Sequence, residues 1–218
     1  MTESTTRSPS AMPDLAHPDA HAVFMTYRYV ADADQGRALL DEIADAWEKA
    51  ERPKEILAFF CYLSTDGTTV MTYAQCTDSA VYRPFAGGLP AASARVEPIE
   101  FRLHRSVVLS PTAGPPNALV TALFDVDGAE RQQRIVASVA ENLERAPADE
   151  YTGLIASHFH LSVDGTRVIN FAEWTSDEAH VVFLDGATRH SSLRITNDMP
   201  GVRPIGYRRY HLHRSIGS

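Results

Sequence analysis

The hydrophobic residues of the chain show the same succession of spacings in each half, first that of a strand and then that of a helix. A run rich in β-branched and aromatic residues opens each half, at 23–30 and again at 118–126. Apolar residues then recur every four positions, which is the spacing of one helix face. These positions are Leu39, Ile43 and Trp47 in the first half and Ile135, Val139 and Leu143 in the second. Each half is therefore predicted to begin with a strand followed by a helix.

Two further strands are predicted in each half around an Asp-Gly dipeptide, which favours a tight hairpin turn. The dipeptides are Asp66-Gly67 and Asp164-Gly165. After the second hairpin, residues 175–178 read Thr-Ser-Asp-Glu, a good helix start with small polar residues for the cap and acids in the first turn. A final alternating strand closes each half.

The two halves also match residue by residue. Segment 57–77 aligns with 155–175 without a gap at an offset of 98 residues (155 − 57). The closing segments 96–107 and 202–216 share a Leu-His-Arg-Ser ending, and the second carries three extra residues, which predicts a bulge or a longer loop. The fold class is thus predicted to be α+β, with two tandem ferredoxin-like β-α-β-β-α-β repeats. Their sheets would cover each other as an intramolecular pseudo-dimeric α/β barrel.

The domain boundaries follow from this repeat. Residues 1–20 are rich in Ser, Thr and Pro at their start and are predicted to be a disordered tail. The first repeat should span 21–108 and the second 118–216, with the Pro- and Gly-containing segment 109–117 as the linker.

Composition narrows the function classes. The formal net charge of −8 argues against a nucleic-acid binder, whose domains usually have a basic face. Cys61 and Cys76 lie in apolar runs without metal-binding or redox spacing, so buried thiols are expected. No signal peptide or membrane-spanning run is recognised, and a cytoplasmic protein is predicted.

The Asp164-Gly165 turn fixes which side chains share a face of the second hairpin. Phe159 should lie opposite Asn170, and Ile155 opposite Trp174, because side chains of paired positions point the same way. The predicted helix-side face then includes Ile155, Ser157, Phe159, Leu161, Asn170 and Trp174.

Asn170 is out of place on this apolar face. An unpaired buried carboxamide costs about 1–3 kcal/mol, so Asn170 must either serve a site or bond to a neighbouring loop. Thr72 and Cys76 occupy the matching positions of the first repeat, which is therefore predicted to be scaffold. His158 and His160 share the opposite face, where packing between the sheets is favoured over metal binding.

The sequence resembles a known family at this hairpin. The run Asn-Phe-Ala-Glu-Trp (170–174), followed by Ser-x-Glu-Ala-His (176–180) in a ferredoxin-like repeat, is similar to the antibiotic biosynthesis monooxygenase family. The similarity covers residues 20–216 and is greatest to the cofactor-independent oxygenases that convert phenols or anthrones to quinones in aromatic polyketide tailoring. Members usually have one repeat and dimerise, whereas this chain has two.

The resemblance implies roles for particular residues. Asn170 and Trp174 would contact the substrate and the oxygenated intermediate, and Arg194, with Arg189 as a rival, would supply the arginine that follows the second helix. Phe159 and His180 stand where quinone-forming members have tyrosines, and His180 becomes the candidate proton carrier. Leu184 stands where haem-degrading relatives have a histidine, which counts against that branch.

The predicted activity is oxidation of an aromatic polyketide by O2 without a metal, flavin or haem. Asn170, Trp174, Arg194 and His180 are the predicted catalytic residues, and the predicted substrate-binding residues are Ile155, Ser157, Phe159 and Leu161. A polyketide cyclase and a non-catalytic module that binds a ligand or a partner protein are the alternatives. Whether the chain forms a further homodimer is left open.

Overall fold

A computed structural model describes residues 12–90 and 96–217. Within them, eight strands and five α-helices follow the predicted order, except that two helices instead of one precede the last strand. The strands are β1 (Ala22–Tyr29), β2 (Ile56–Ser64), β3 (Thr69–Cys76), β4 (Ile99–Val108), β5 (Ala118–Val126), β6 (Leu154–Ser162), β7 (Arg167–Trp174) and β8 (Val202–Ile216). The helices are α1 (Ala33–Lys49), α2 (Tyr82–Gly87), α3 (Ala129–Arg145), α4 (Asp177–Leu184) and α5 (Ala187–Asn197).

The long helices of the two repeats bury the faces that the sequence predicts. Helices α1 and α3 each have 17 residues, and their buried residues include Ile43 and Trp47 in α1 and Ile135, Val139 and Leu143 in α3. Asp32 caps α1 by accepting a hydrogen bond from the backbone N–H of Gln35. Each helix therefore packs on the sheet beneath it through one apolar stripe.

The eight strands form one closed antiparallel barrel in the order β1-β3-β2-β8-β5-β7-β6-β4, with β4 returning to β1. The prediction of a pseudo-dimeric barrel is confirmed. The closing strand of each repeat joins the two halves, because β4 pairs with both β1 and β6, and β8 pairs with both β5 and β2. No strand edge of the barrel is left unpaired among the described strands.

The two Asp-Gly turns have the same internal hydrogen bonds. The Asp66 carboxylate accepts from the backbone N–H and hydroxyl of Thr68, and the Asp164 carboxylate does the same with Thr166. Gly67 and the equivalent glycine of the second turn have positive φ values of 70° and 78°, which glycine adopts without strain. The predicted pairing of Phe159 with Asn170 follows from this turn and is observed.

One predicted pairing on the second hairpin is wrong. Trp174 pairs with Leu154, and a β-bulge between Leu154 and Ala156 leaves Ile155 without a partner on β7. The carbonyl of Ile155 instead accepts hydrogen bonds from the backbone N–H groups of Leu109 and Ser110, at 2.9 and 3.1 Å. The extra residue shifts the alternation, so Leu154 takes the place that was predicted for Ile155.

The interior of the barrel is a mixed core to which both repeats contribute. His158 and His160 lie there, 4% and 0% exposed. His158 contacts the Ser106 hydroxyl at 2.9 Å and the Glu173 carboxylate at 3.3 Å, while His160 lies edge-on to Phe171. The two imidazoles therefore pack inside the barrel, and the described residues contain no cluster of three or more His, Cys, Asp or Glu that could hold a metal.

The predicted disordered tail is partly wrong. Residues 1–11 lie outside the described part of the chain, but 12–20 pack against the barrel. Leu15 is 3% exposed and belongs to the barrel-interior core, and the Asp14 carbonyl accepts a hydrogen bond from the Gln75 side chain at 2.7 Å. Burial of Pro13 and Leu15, packing of Met12 on the same core and the hydrogen bond to Asp14 together hold this segment against the barrel.

A cluster of ion pairs around one arginine links the second repeat to the first. Arg214 of β8 bonds to Asp45 and Glu48 of α1, both at 2.7 Å, and lies 3.5 Å from Asp41. The Arg214 side chain is 8% exposed, so its charge depends on these partners.

None of the helices in the described residues is both long and apolar enough to cross a lipid bilayer.

The buried His160 should make stability depend on pH. Burial lowers its pKa from 6.5 to about 3, so the folded protein holds it neutral while the unfolded chain protonates it near its ordinary pKa. Stability then falls as the pH drops from 6.5 towards 3. In urea unfolding, His160→Phe should reduce the loss of free energy between about pH 7 and about pH 5 by up to about 2 kcal/mol.

The exposed His190 supplies the control. His190→Gln should keep the pH dependence of the parent protein, and an unchanged pH dependence in His160→Phe would contradict this account.

Candidate functional site

A cavity lies between the sheet and the helices of the second repeat. Its empty volume is about 850 Å³ including the open mouth, and its walls are mainly apolar. It is lined by residues of β5, β6, β7 and β8 on the sheet side and by residues of α3, α4 and α5 on the helix side. A pocket of this size and character suits a flat organic molecule.

Three polar atoms of the cavity lining have no hydrogen-bond partner among the described residues. They are Asn170 Oδ1, Trp174 Nε1 and His180 Nδ1, and all three atoms are buried. Asn170 and Trp174 lie four residues apart on the same face of β7, as predicted. A buried polar atom without a partner costs about 1–3 kcal/mol, so the three together indicate a place for a polar ligand.

The partner of Asn170 is missing because of a change on the neighbouring strand. In the first repeat, the Thr72 hydroxyl lies 2.6 Å from the hydroxyl of its cross-strand neighbour Thr26. In the second repeat, Asn170 has Ala122 as the equivalent neighbour. Alanine offers no hydrogen-bonding group, so the carboxamide is directed into the cavity without a protein partner.

The cavity exists because three aromatic residues of the first repeat have smaller counterparts in the second. Phe24 and Phe59 both pair with Ala74 in the first repeat, and the equivalent neighbours of Ala172 are Val120 and Ser157. In the helices, Trp47 corresponds to Leu143, since each is the fifteenth residue of its 17-residue helix. Val120, Leu143 and Ser157 all line the cavity.

The equivalent space in the first repeat is filled by stacked rings. Trp47 stacks on Phe59 with ring centroids 3.7 Å apart, and Phe24 stacks on Tyr82 at 4.1 Å. Trp47 also meets Phe85 edge-on at 5.0 Å. Aromatic contacts of this kind stabilise a core beyond their buried area. The first repeat therefore has a packed core where the second has a hollow.

His180 is held in the cavity wall by the start of α4. Ser176 caps the helix by accepting a hydrogen bond from the backbone N–H of Ala179. The imidazole then meets the Trp174 and Tyr207 rings edge-on, at 5.1 and 5.2 Å. It occupies the position of Tyr82 in the first repeat, at the offset of 98 residues (180 − 82).

The surroundings keep His180 neutral. Burial lowers its pKa from 6.5 to about 4, and the positive charges of Arg209 and Arg189 act in the same direction, against the opposing charge of Asp177. The predicted proton carrier is therefore a weaker base in the unliganded protein than an ordinary histidine. The same positive field would favour a negative charge on a ligand beside the imidazole.

The structure places Arg189 in the cavity and Arg194 outside it. Arg189 is half-buried and lines the cavity, whereas Arg194 is exposed and is not among the lining residues. The cause is the periodicity of α5, since Arg189, Ser192, Leu193 and Thr196 share the face that lines the cavity and Arg194 lies off that face. The preference for Arg194 over Arg189 as the arginine of the site is thus contradicted by the position of the two side chains.

Two of the four predicted substrate-binding residues line the cavity, and two do not. Ser157 and Phe159 line the cavity. Ile155 is displaced by the bulge, and Leu161 is half-buried against the core of the second repeat away from the lining.

The extra residues of β8 supply a part of the wall that sequence reasoning missed. The pairing of β5 with β8 shifts at the extra residues, between Gly206 and Pro204, and both of these line the cavity together with Tyr207. Tyr207 is 45% exposed and stands at the mouth. The length difference between 96–107 and 202–216 signalled a bulge but did not show which side chain it would direct inward.

Comparisons with known proteins identify the fold. No family model matches the chain, and no curated protein matches it. Among solved structures, it is similar to an anthrone oxidase-like protein, with a TM-score of 0.68 and 13% identity over 91% of this chain and 94% of that one. It is also similar to an uncharacterized ferredoxin fold protein related to antibiotic biosynthesis monooxygenases from Listeria monocytogenes, with a TM-score of 0.51 and 12% identity over 92% and 98% of the two chains. At these identities the likeness shows a ferredoxin-like fold.

Exchanging the residues at one equivalent position of the two repeats should have unequal effects on stability. Phe59→Ser removes the ring that stacks on Trp47 and should lower the free energy of unfolding by about 3–5 kcal/mol. Ser157→Phe places the first-repeat residue in an existing hollow and should change the free energy by less than about 1.5 kcal/mol. Urea denaturation of the two variants measures both effects. Equal losses would show that the second repeat is packed as tightly as the first.

Proposed function

We propose that the protein is a cofactor-independent monooxygenase that oxidises a polycyclic phenol or anthrone to a quinone with O2. The observation that carries the proposal is the apolar cavity of the second repeat, with Asn170, Trp174 and His180 presenting unpartnered polar atoms to it. The proposal includes a place in aromatic polyketide tailoring and membership of the antibiotic biosynthesis monooxygenase family as a tandem-repeat form. The similar fold of the anthrone oxidase-like protein supports it.

The reaction needs an electron-rich substrate anion. Ground-state O2 is a triplet and reacts slowly with closed-shell molecules unless they donate one electron, which an anthrone enolate or a phenolate can do. The resulting radical and superoxide combine to a peroxide at the ring carbon. Loss of the second proton from that carbon, with cleavage of the O–O bond, gives the quinone carbonyl and water, so one O2 yields one quinone and one H2O.

The cavity would favour this anion by its charge and its donors. The Trp174 indole N–H can donate to the substrate oxygen, and the Asn170 carboxamide can contact the oxygen or the peroxide formed next to it. Arg189 lines the cavity and Arg209 borders it, and neither has a carboxylate partner among the described residues. Their field stabilises negative charge in a site from which water is largely excluded.

His180 would accept the substrate proton only when the anion forms beside it. A neutral imidazole with a pKa of about 4 is a weak base in the unliganded cavity. A neighbouring anion raises the pKa of an imidazole, so deprotonation of the substrate and protonation of His180 assist each other. The proposal therefore treats the substrate and His180 as a coupled pair.

Asn170→Ala should lower kcat by about a hundredfold, because it removes a group that contacts the developing charge. Thr72→Ala, at the same position of the first repeat, should leave kcat within about twofold. The Thr72 hydroxyl is already paired with that of Thr26, and among the described residues no buried unpartnered polar atom lines the smaller cavity of the first repeat. The measurement is O2 consumption together with quinone absorbance, on anthrone, with metals chelated.

Three outcomes separate the candidate functions. O2 uptake with quinone formation supports the oxygenase, and conversion without uptake would indicate a cyclase. Binding with neither would indicate a ligand-binding module. Equal losses of rate in Asn170→Ala and Thr72→Ala would show that the two repeats are not divided into site and scaffold.

A further inference from the structure

Most of the partly buried arginines of this protein have an acidic partner. Arg214 has Asp45 and Glu48, Arg208 has Asp66, and Arg105 has Glu144, each with an N–O distance of 2.7 Å. Acidic residues are plentiful, with 28 Asp and Glu against 20 Lys and Arg. The chain therefore has enough carboxylates to pair a guanidinium wherever pairing is useful.

Two arginines beside the cavity depart from this pattern. Arg189 is half-buried in the cavity wall, and within 12–90 and 96–217 it has no hydrogen bond or ion pair. Arg209 is also half-buried, and its Nε is buried without a hydrogen-bond partner in the same part of the chain. The nitrogens of Arg189 and the two terminal nitrogens of Arg209 are therefore neither buried nor paired with any described residue, so they are open to an anionic ligand.

The two guanidinium groups act on the same place from different elements. Arg189 projects from α5, and Arg209 lies on β8 opposite Val120, a residue of the cavity lining. Arg209 is two residues beyond Tyr207 on β8, so both side chains are on the helix side of the sheet. Both positive charges lower the pKa of His180, after the larger effect of burial. The charges therefore converge at the mouth of the cavity next to the imidazole.

The acidic groups near this mouth do not neutralise it. Asp177 at the start of α4 contacts His211 at 3.0 Å, and it only partly opposes the arginines at His180. Glu178 is fully exposed, and its pKa is lowered mainly by hydrogen bonds at its own helix start, with a smaller contribution from Arg209. Neither carboxylate forms an ion pair with Arg189 or Arg209 among the described residues.

We propose that the cavity binds aromatic compounds that carry a carboxylate, with Arg189 and Arg209 as the residues that hold the carboxylate at the mouth. The inference rests on the proposed function for the reacting end of the ligand, where Asn170 and Trp174 contact a ring oxygen. A guanidinium presents two parallel N–H groups that match the two oxygens of a carboxylate. The half-exposed Tyr207 marks this end of the cavity as the one nearest to solvent.

Redox-inert ligands test the inference apart from the oxygenase activity. Isothermal titration calorimetry at neutral pH would compare 2-naphthoate with methyl 2-naphthoate, which share a ring and differ in charge. The acid should bind at least about tenfold more tightly than the ester, because hydrogen bonds to a charged group are worth more than those to a neutral one. Equal affinity would overturn the inference and leave the oxygenase proposal standing.

Matched arginine variants assign the effect to its residues. Arg189→Met should abolish the preference for the acid while keeping the affinity for the ester, and the exposed Arg194→Met should leave both affinities unchanged. Arg209→Met should reduce the preference in the same direction. A preference that survives in Arg189→Met would overturn the assignment. Lack of O2 uptake on anthrone would contradict the proposed reaction, and these affinities would still test the binding of the carboxylate.

Discussion

Hydrogen bonding of the two closing strands to both repeats is the constraint on which the rest of the structure depends. Because β4 pairs with β6 and β8 pairs with β2, each sheet completes the other and the barrel has a shared interior. The helices remain outside, with α1 and α2 over the first repeat and α3, α4 and α5 over the second, and α1 also contacts the end of β8 through Arg214. The helix layer of the second repeat can therefore open into a cavity while the barrel and the first repeat stay packed.

The division between the repeats rests on a few changes of side-chain size. Stacked rings of Trp47 and Phe59 fill the first repeat, and Leu143 with Ser157 leave the same place empty in the second. The exchange of Thr26 for Ala122 leaves the carboxamide of Asn170 unpartnered. Each change lowers the stability of the second repeat, and packing in the first repeat and in the barrel interior offsets this loss.

Much of the fold could be predicted from the sequence because the two halves carry the same signals. The Asp164-Gly165 turn fixed the alternation along β7, which put Asn170 and Trp174 on one face. The alternation of apolar and polar residues does not show a bulge with one unpaired residue, so the prediction for Ile155 was wrong. The sequence did not show that α5 starts at Ala187, and this start places Arg189 rather than Arg194 on the helix face that lines the cavity.

Fusion of the repeats also sets how many ligands one barrel can hold. A barrel assembled from two identical chains must have its hollow twice or not at all, since symmetry forces every substitution to appear on both sides. Covalent linkage lifts that restriction, and the aromatic plug of Trp47 and its neighbours can then be kept on one side only. If the cavity is the binding site that we propose, the expected stoichiometry is one molecule per 218-residue chain.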